Sequence, residues 1–182
     1  LVGVLSGGSI TNSYTTGRVT GSHNVGGLVG WVGGLLGDRG GSITNSYATG
    51  SVTGSNRHVG GLVGFAKGSI TNSYATGSVT GTDGNIGGLV GYAIWSSITN
   101  SYATGSVTGD QQVGGLLGML DGGSITNSYA TGSVTGYQSA GGLVGSLRGN
   151  ITNSYATGSV TGPNGHVGGL VGFAKGSITN SY

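Results

Sequence analysis

One short block, Ser-Ile-Thr-Asn-Ser-Tyr, recurs along the whole chain and limits the folds that the chain can adopt. Its copies start at Ser9, Ser42, Ser69, Ser97, Ser124, Asn150 and Ser177, so the repeating unit is about 27 residues long, with one expanded copy. A fixed period of about 20–50 residues is typical of solenoids, propellers and other repeat arrays. Residues 1–182 are therefore interpreted as a single repeat array.

A second block, Val-Gly-Gly-Leu-Val-Gly, follows the first at a nearly constant offset. Its copies are Val25–Gly30, Val59–Gly64, Ile86–Gly91, Val113–Gly118, Ala140–Gly145 and Val167–Gly172. The first unit carries a further copy, Val32–Gly37, and the sequence leaves open which of the two occupies the regular position. Length variation falls in the two joints between blocks, as expected of surface loops. Because the chain starts and stops within a unit, we expect it to be a segment of a longer array.

The residue types of the repeat predict strands rather than helices. Ile, Val, Thr and Tyr alternate with other residues, and the 45 glycines would each destabilise a helix. Stacking identical units places the repeated Ile, Val and Leu residues in buried columns. The sequence thus predicts an all-β fold, a parallel β-solenoid of about six coils with about 27 residues per coil, and by analogy with parallel crossovers a right-handed one.

Glycine has two expected uses in such a coil. It can adopt positive φ at corners, and it leaves room where one coil packs closely on the next. In the second block the constant Val and Leu are three residues apart, which breaks the two-residue period of a strand. We expect the glycine pair to form a bend or bulge that turns both side chains inward.

Two polar columns are predicted from the first block. Strand alternation places Ser, Thr and Ser on the outer face and Ile, Asn and Tyr on the inner face. The asparagines would hydrogen-bond from coil to coil, or would simply favour a turn. The tyrosines would lie inside beside a corner, or would form a stacked column outside. The two sets are Asn12, Asn45, Asn72, Asn100, Asn127, Asn153 and Asn180, and Tyr14, Tyr47, Tyr74, Tyr102, Tyr129, Tyr155 and Tyr182.

A third set of side chains is expected to make contacts with partners. Five residues share the place just after the second block and could form an apolar seam on the surface. These residues are Trp31, Phe65, Tyr92, Met119 and Phe173. Trp95 lies in a joint, where it is either an exposed anchor or a side chain folded back over the solenoid wall.

The residues give no support for catalysis or for a metal or cofactor site. The acids Asp38, Asp83, Asp110 and Asp121 each stand alone in a joint, so no carboxylate pair is expected. The histidines His23, His58 and His166 also lie in joints, and we expect them to be solvated. Calcium-binding solenoid repeats need an Asp in every copy, and a chain without cysteine has no thiolate for a metal. We expect the segment not to be an enzyme.

Nucleic acid and membrane are also poor partners for this chain. The formal charge is only +2, and the six cationic residues are spread over several units rather than forming a dense stripe. No apolar run approaches the roughly 18 residues that a membrane-spanning helix needs. Neither partner is therefore expected.

The blocks "VGGLVG" and "ITNSYATGSVTG" resemble the GLUG motif repeats of large bacterial surface and secreted proteins. These include adhesins and the non-catalytic regions of some immunoglobulin A proteases. The resemblance covers the whole chain, and departures such as Ala140 and Asn150 leave the period intact. It implies an extracellular β-solenoid with a structural or adhesive role, and it supplies no catalytic residue.

Two functions from different classes follow from this interpretation. The leading hypothesis is a non-catalytic stalk, adhesin repeat or fibre at the bacterial surface, which associates with itself end to end or laterally and contacts glycans or proteins of a host or cell surface. The alternative is an ice-binding solenoid that uses the outward Ser-Thr-Ser row, which resembles the threonine arrays of antifreeze solenoids.

Overall fold

Each unit forms one coil of a parallel β-solenoid in a computed structural model that describes residues 1–34 and 40–182. All strand pairs in these residues are parallel, and no helix occurs among them. The predicted all-β solenoid of about six coils is therefore confirmed, whereas its handedness stays a prediction. Part of the additional block Val32–Gly37, together with Asp38 and Arg39, lies outside the described residues.

The widest sheet has eleven strands and carries the end of the second block together with the start of the next first block. In three coils one long strand runs through both segments, and in the other coils each segment forms a short strand of its own. The strands of this wide sheet are β1 (Val2–Leu5), β2 (Ser9–Thr11), β6 (Val29–Val32), β7 (Gly41–Thr44), β11 (Val63–Ala66), β12 (Gly68–Thr71), β16 (Val90–Thr99), β20 (Leu117–Thr126), β24 (Val144–Thr152), β28 (Val171–Ala174) and β29 (Ser177–Thr179).

Three narrow sheets of six strands complete each coil. The Tyr-Ala sheet consists of β3 (Tyr14–Thr15), β8 (Tyr47–Ala48), β13 (Tyr74–Ala75), β17 (Tyr102–Ala103), β21 (Tyr129–Ala130) and β25 (Tyr155–Ala156). The Val-Thr sheet consists of β4 (Val19–Gly21), β9 (Val52–Gly54), β14 (Val79–Gly81), β18 (Val107–Gly109), β22 (Val134–Gly136) and β26 (Val160–Thr161). The Val-Gly sheet consists of β5 (Val25–Gly26), β10 (Val59–Gly60), β15 (Asn85–Gly87), β19 (Gln112–Gly114), β23 (Ser139–Gly141) and β27 (His166–Gly168).

The register places equivalent residues of successive units opposite one another. Ile70, for example, pairs with Ile43 on one side and with Ile98 on the other. The same register identifies the regular copy of the second block in the first unit, because β5 pairs with β10 and β6 pairs with β11. The copy Val25–Gly30 therefore holds the regular position.

One irregularity in the wide sheet accounts for the shortest unit. The pairing of β20 with β24 shifts between Asp121 and Ser124. Gly122 and Gly123 lie at the shift with φ values of 76° and 94°, which glycine adopts at little cost. The bulge accommodates the one residue that β20 has in excess of β24, so that equivalent residues of the two coils pair on both sides of it.

The interior is divided into two hydrophobic cores. The larger core lies between the wide sheet and the Tyr-Ala sheet and contains the Ile, Leu and Ala columns, for example Ile98, Leu89 and Ala103. The smaller core contains the Val columns of the other two sheets, for example Val59 and Val79. The inward direction predicted for both the Val and the Leu of the second block is confirmed, but these two residues enter different cores.

The glycine pair of the second block lies where the coil is narrowest. A Cβ on Gly61 would lie 2.8 Å from the Cβ of Ala75 and 2.1 Å from the carbonyl oxygen of Gly88 in the next coil. Neither Gly60 nor Gly61 has a positive φ. The glycines of this block are therefore required by close approach of the backbone, and the alanine opposite them is small for the same reason.

The predicted alternation of the first block is wrong after its asparagine. The Asn residues have φ values between 48° and 51°, a left-handed conformation that turns a corner and resets which face the following side chains occupy. The second serine consequently points inward, and Ser46 and Ser73 are each only 1% exposed. The tyrosine points outward and the following alanine points into the core.

Candidate functional site: outer side-chain columns

The asparagine column combines the two roles that the sequence left open. Each Asn occupies the left-handed corner, and its amide also reaches the neighbouring coil. The Asn100 side-chain amide donates a hydrogen bond to Asn72 Oδ1 at 3.2 Å, and Asn127 donates to Asn100 Oδ1 at 3.3 Å. Comparable bonds join Asn72 to Asn45 and Asn180 to Asn153. The side chains are exposed rather than inward, which corrects the predicted face.

Substitution of Asn100 separates the turn from the side-chain column. Asn100→Gly retains the left-handed backbone but loses both amide bonds, and we expect it to lower the free energy of unfolding by about 1 kcal/mol. Asn100→Ala additionally forces a Cβ into the left-handed region and should lose about 2 kcal/mol. Urea unfolding of the two variants would measure the difference. Wild-type stability of Asn100→Gly would show that the amide column contributes nothing.

The tyrosine column lies on the outer surface, which is the second of the two placements that the sequence left open. All six successive ring pairs are stacked, with centroids 4.8–5.4 Å apart and interplanar angles of 2–10°. Burial raises the pKa of the Tyr102 phenol, and the neighbouring Tyr129 and Tyr74 raise it further. Burial and then Tyr155 raise the pKa of Tyr129 in the same direction. The column presents a continuous strip of stacked rings and hydroxyls.

A buried serine column was missed in the sequence. The Ser73 hydroxyl donates to the Thr71 carbonyl at 2.8 Å and accepts from the backbone N–H of Ser46 at 3.2 Å. The same pair of bonds recurs at Ser101, Ser128 and Ser154. The recurrence of serine in every copy was the available signal, and the strand alternation assigned it to the wrong face.

The residues after the second block form a column as predicted, which we call the seam column. Register pairs Trp31, Phe65, Tyr92, Met119, Ser146 and Phe173 in that order. These side chains are half-buried except Ser146, which is 7% exposed. The ring centroids of Trp31 and Phe65 are 4.6 Å apart, and those of Phe65 and Tyr92 are 5.5 Å apart.

A second outer column runs beside the seam column along the start of the Val-Gly sheet, and we call it the polar column. It consists of Asn24, His58, Asn85, Gln112, Ser139 and His166. His58 lies 4.9 Å from the Tyr92 ring and 5.8 Å from the Phe65 ring, and its Nδ1 is 3.0 Å from the Asn85 amide nitrogen. His58 is therefore packed rather than solvated as predicted.

The packing of His58 has a consequence for pH dependence. Burial, and after it the charge of Arg57, lowers the pKa of His58 from 6.5 to about 4. Between these two values the unfolded chain takes up a proton that the folded chain does not, so His58 reduces stability as pH falls from 6.5 towards 4. We expect His58→Asn to reduce this loss of stability at low pH. The substitution introduces the residue that the polar column carries in the next coil, Asn85. Melting temperatures of both chains at pH 7 and pH 4.5 would measure it, and an equal decrease in both would contradict the assignment.

Trp95 lies apart from the seam column and is the most exposed of the predicted contact residues of the inner coils. It is 73% exposed and has a φ of 48°. Its indole lies over Gly122 of the next coil, where an added Cβ would be 2.5 Å from the ring. Trp95 thus covers a small part of the solenoid wall and still presents most of its surface to solvent.

The acidic residues are less isolated than the sequence indicated. Asp83 and Asp110 line one shallow depression formed by stacked joints, and Asp83 accepts a hydrogen bond from the Gln111 amide. Asp121 accepts a hydrogen bond from the Tyr92 hydroxyl at 3.2 Å. Asp83 and Asp110 thus share a depression, and the described partner of the Asp83 carboxylate is the Gln111 amide. No group of three or more acidic, His or Cys side chains is suitably placed for a metal among the described residues.

Parallel coils stacked in register, with continuous columns of like side chains, define the class of the chain as a β-solenoid repeat protein. Its units match the GLUG motif over residues 21–53, 55–80, 82–108, 109–135 and 136–161, which is more than half of the chain. The chain belongs to the GLUG motif family. None of the curated protein sequences compared matches it.

The fold is similar to that of a solved bacterial protein. The crystal structure of a putative immunoglobulin A1 protease from Bacteroides ovatus aligns with a TM-score of 0.56 and 23% sequence identity over 90% of this chain. The aligned part is 57% of that protein's chain, so the present chain spans little more than half of its length. At this identity the similarity concerns the fold alone. No helix long and apolar enough to cross a membrane occurs in residues 1–34 and 40–182.

Proposed function

We propose that the chain is a non-catalytic structural region of an extracellular bacterial surface protein, acting as a stalk or adhesin repeat that associates with itself. The observation that carries the proposal is the coil-to-coil register, in which like residues pair along the whole array. Each coil then contacts chiefly its neighbours, so that length can grow by adding units without redesigning a core. Such an architecture suits a spacer that holds other groups at a distance.

The surface chemistry supports contact between copies of the chain. Charged residues make up 5% of the sequence, against about 25% in ordinary soluble domains, so that repulsion between neighbouring walls is weak. In the 182-residue chain, the outermost strands of the wide sheet each pair on one side only; they are β1, β2, β28 and β29. An unpaired strand edge with little charge is a template for another strand. End-to-end association through these edges and lateral association through the seam column are both consistent with this chemistry.

Sedimentation velocity over a concentration series tests the self-association. Mass that increases with concentration, with elongated particles in electron micrographs, is the expected result. Trp31→Ser and Phe65→Ser each introduce serine, the residue that the seam column already has at Ser146. They should reduce lateral association and leave end-to-end association unchanged. A chain that stays monomeric at high concentration would remove the fibre and leave the plain stalk.

Localisation and catalysis need separate measurements. An antibody against the chain should label intact cells that produce the native protein, and labelling only after lysis would contradict a surface position. The absence of catalysis remains part of the proposal, and turnover of polysaccharide or protein by the purified chain would overturn it. Glycans or proteins of a host or cell surface are the proposed adhesive partners.

The ice-binding alternative has a weaker basis in the fold than in the sequence. The outward Ser-Thr-Ser row loses its second serine, because that column is buried and bonded to backbone. Two polar columns remain on that face, at the positions of Ser42 and Thr44. Thermal hysteresis of the purified chain would support ice binding, and its absence would remove the alternative.

A further inference from the structure

A cavity opens on the outer wall where both outer columns carry a small residue in the same coil. In the seam column Ser146 stands where most other coils have an aromatic ring or methionine, and in the polar column Ser139 stands where others have Asn, Gln or His. The cavity is open to solvent and has a volume of about 570 Å³. This size is within the range of small-molecule binding sites.

The flanking coils supply the walls of this cavity. Met119 and Gln112 project from the coil on one side, and Phe173 and His166 from the coil on the other. The joints contribute Tyr137, which is 52% exposed. The cavity therefore has aromatic rings and an amide at its rim, with the serine hydroxyls between them.

The polar groups of the cavity point to a ligand. The Ser146 side chain is only 7% exposed and lines the cavity, and its hydroxyl makes none of the described hydrogen bonds. By contrast, the buried hydroxyls of Ser73, Ser96 and Ser128 each donate to a backbone carbonyl. The Ser146 hydroxyl is therefore free to bond to water or to a ligand in the cavity.

The charge in the cavity favours an acidic group on that ligand. Arg148 lines the cavity, whereas no Asp or Glu does. Asp121 is the register partner of Arg148, and its carboxylate accepts a hydrogen bond from the Tyr92 hydroxyl. A guanidinium binds a carboxylate with two parallel hydrogen bonds.

We propose that this cavity is a binding subsite for a sugar ring that carries a carboxylate, within an acidic oligosaccharide. A sugar ring has an apolar C–H face that can pack on Phe173 or Tyr137, and hydroxyls at its edge that can bond to Gln112, Ser139 and Ser146. An acidic peptide would use Arg148 but would leave most of the amides and hydroxyls without matching groups. The site is independent of the stalk role, because a chain that binds no sugar could still serve as a stalk.

Calorimetric titration of the full chain with defined oligosaccharides tests the proposal. The probes are 3′-sialyllactose and tetragalacturonate, with lactose as the neutral control and capped tri-glutamate as the acidic peptide. At least one acidic sugar should bind saturably and about tenfold or more tighter than lactose and tri-glutamate, as expected for hydrogen bonds to a charged group. Equal binding of lactose or of tri-glutamate, or no binding of either acidic sugar, would overturn the proposal.

Two variants locate the binding. Ser146→Phe places in the cavity the residue that the same column carries at Phe65 and Phe173, so the coil should still fold, and the added ring should block binding. Arg148→Gln should remove the preference for acidic over neutral sugar, whereas Arg18→Gln, an equal charge change outside the cavity, should leave it intact. Unchanged binding in both cavity variants would place the sugar elsewhere and refute the assignment.

Discussion

Replacing Gly115 with alanine is expected to destabilise the solenoid by about 3 kcal/mol, at the upper end for overpacked sites. A Cβ there would lie 2.1 Å from the carbonyl oxygen of Gly142 and 2.9 Å from the Cβ of Ala130. Since the first contact is with backbone, no side-chain rotation relieves it, and the coils must separate. Thermal and urea unfolding of the variant would measure the loss.

Gly169 provides the matched control for this substitution because it has the same place in the last coil. Nothing lies within 4 Å of a Cβ added there, and its φ is not positive. Gly169→Ala should therefore be neutral or should stabilise slightly, by about 0.4–1 kcal/mol, through the reduced freedom of the unfolded chain. Equal losses at Gly115 and Gly169 would show that the glycine column is not needed for close coil packing.

A charge in the larger core is expected to have a comparable or larger effect. Leu89 and Ile98 have no solvent exposure and belong to the core between the wide sheet and the Tyr-Ala sheet. Removing such a side chain already costs about 2–5 kcal/mol, and an unpaired carboxylate adds a desolvation cost. Leu89→Asp and Ile98→Asp should therefore each lose about 4 kcal/mol or more.

Arg57→Ala, in an exposed joint, should change stability by less than about 0.5 kcal/mol. Melting temperatures of the three variants provide the comparison. Similar values for the core and the joint variants would contradict the inward assignment of the Ile and Leu columns.

The stacking could be predicted from the sequence because a 27-residue period leaves few other ways to bury Ile98 and Leu89. The direction of Tyr102 could not, since it depends on the left-handed φ of Asn100, and an Asn can also continue a strand. A single reset of the alternation moved the serine inward and the tyrosine outward. The inward and outward directions predicted for the residues before the asparagine are correct, whereas those predicted from strand alternation for the residues after it are wrong.

The division of the interior into two cores could not be predicted from the periodicity of the sequence either. Val59 and Leu62 both point inward. The glycines between them lie so close to Ala75 that they separate the smaller core, which contains Val59, from the larger core, which contains Leu62. The candidate sugar site depends on two departures from the repeat, Ser139 and Ser146. The sequence contains both departures, but only the register shows that they fall side by side.

The parallel pairing has a mechanical consequence for a chain held at both ends. The bonds between coils, such as Leu116 N–H to Leu143 O at 2.9 Å, join neighbouring coils along the axis, so tension along the axis would load the outermost coil first. Peeling one coil of about 27 residues would release about 90 Å of extended chain, at roughly 3.3–3.6 Å per residue. A stalk of this kind would lengthen in steps under load and absorb shear, and each freed coil could return to the same row of partners when the force falls.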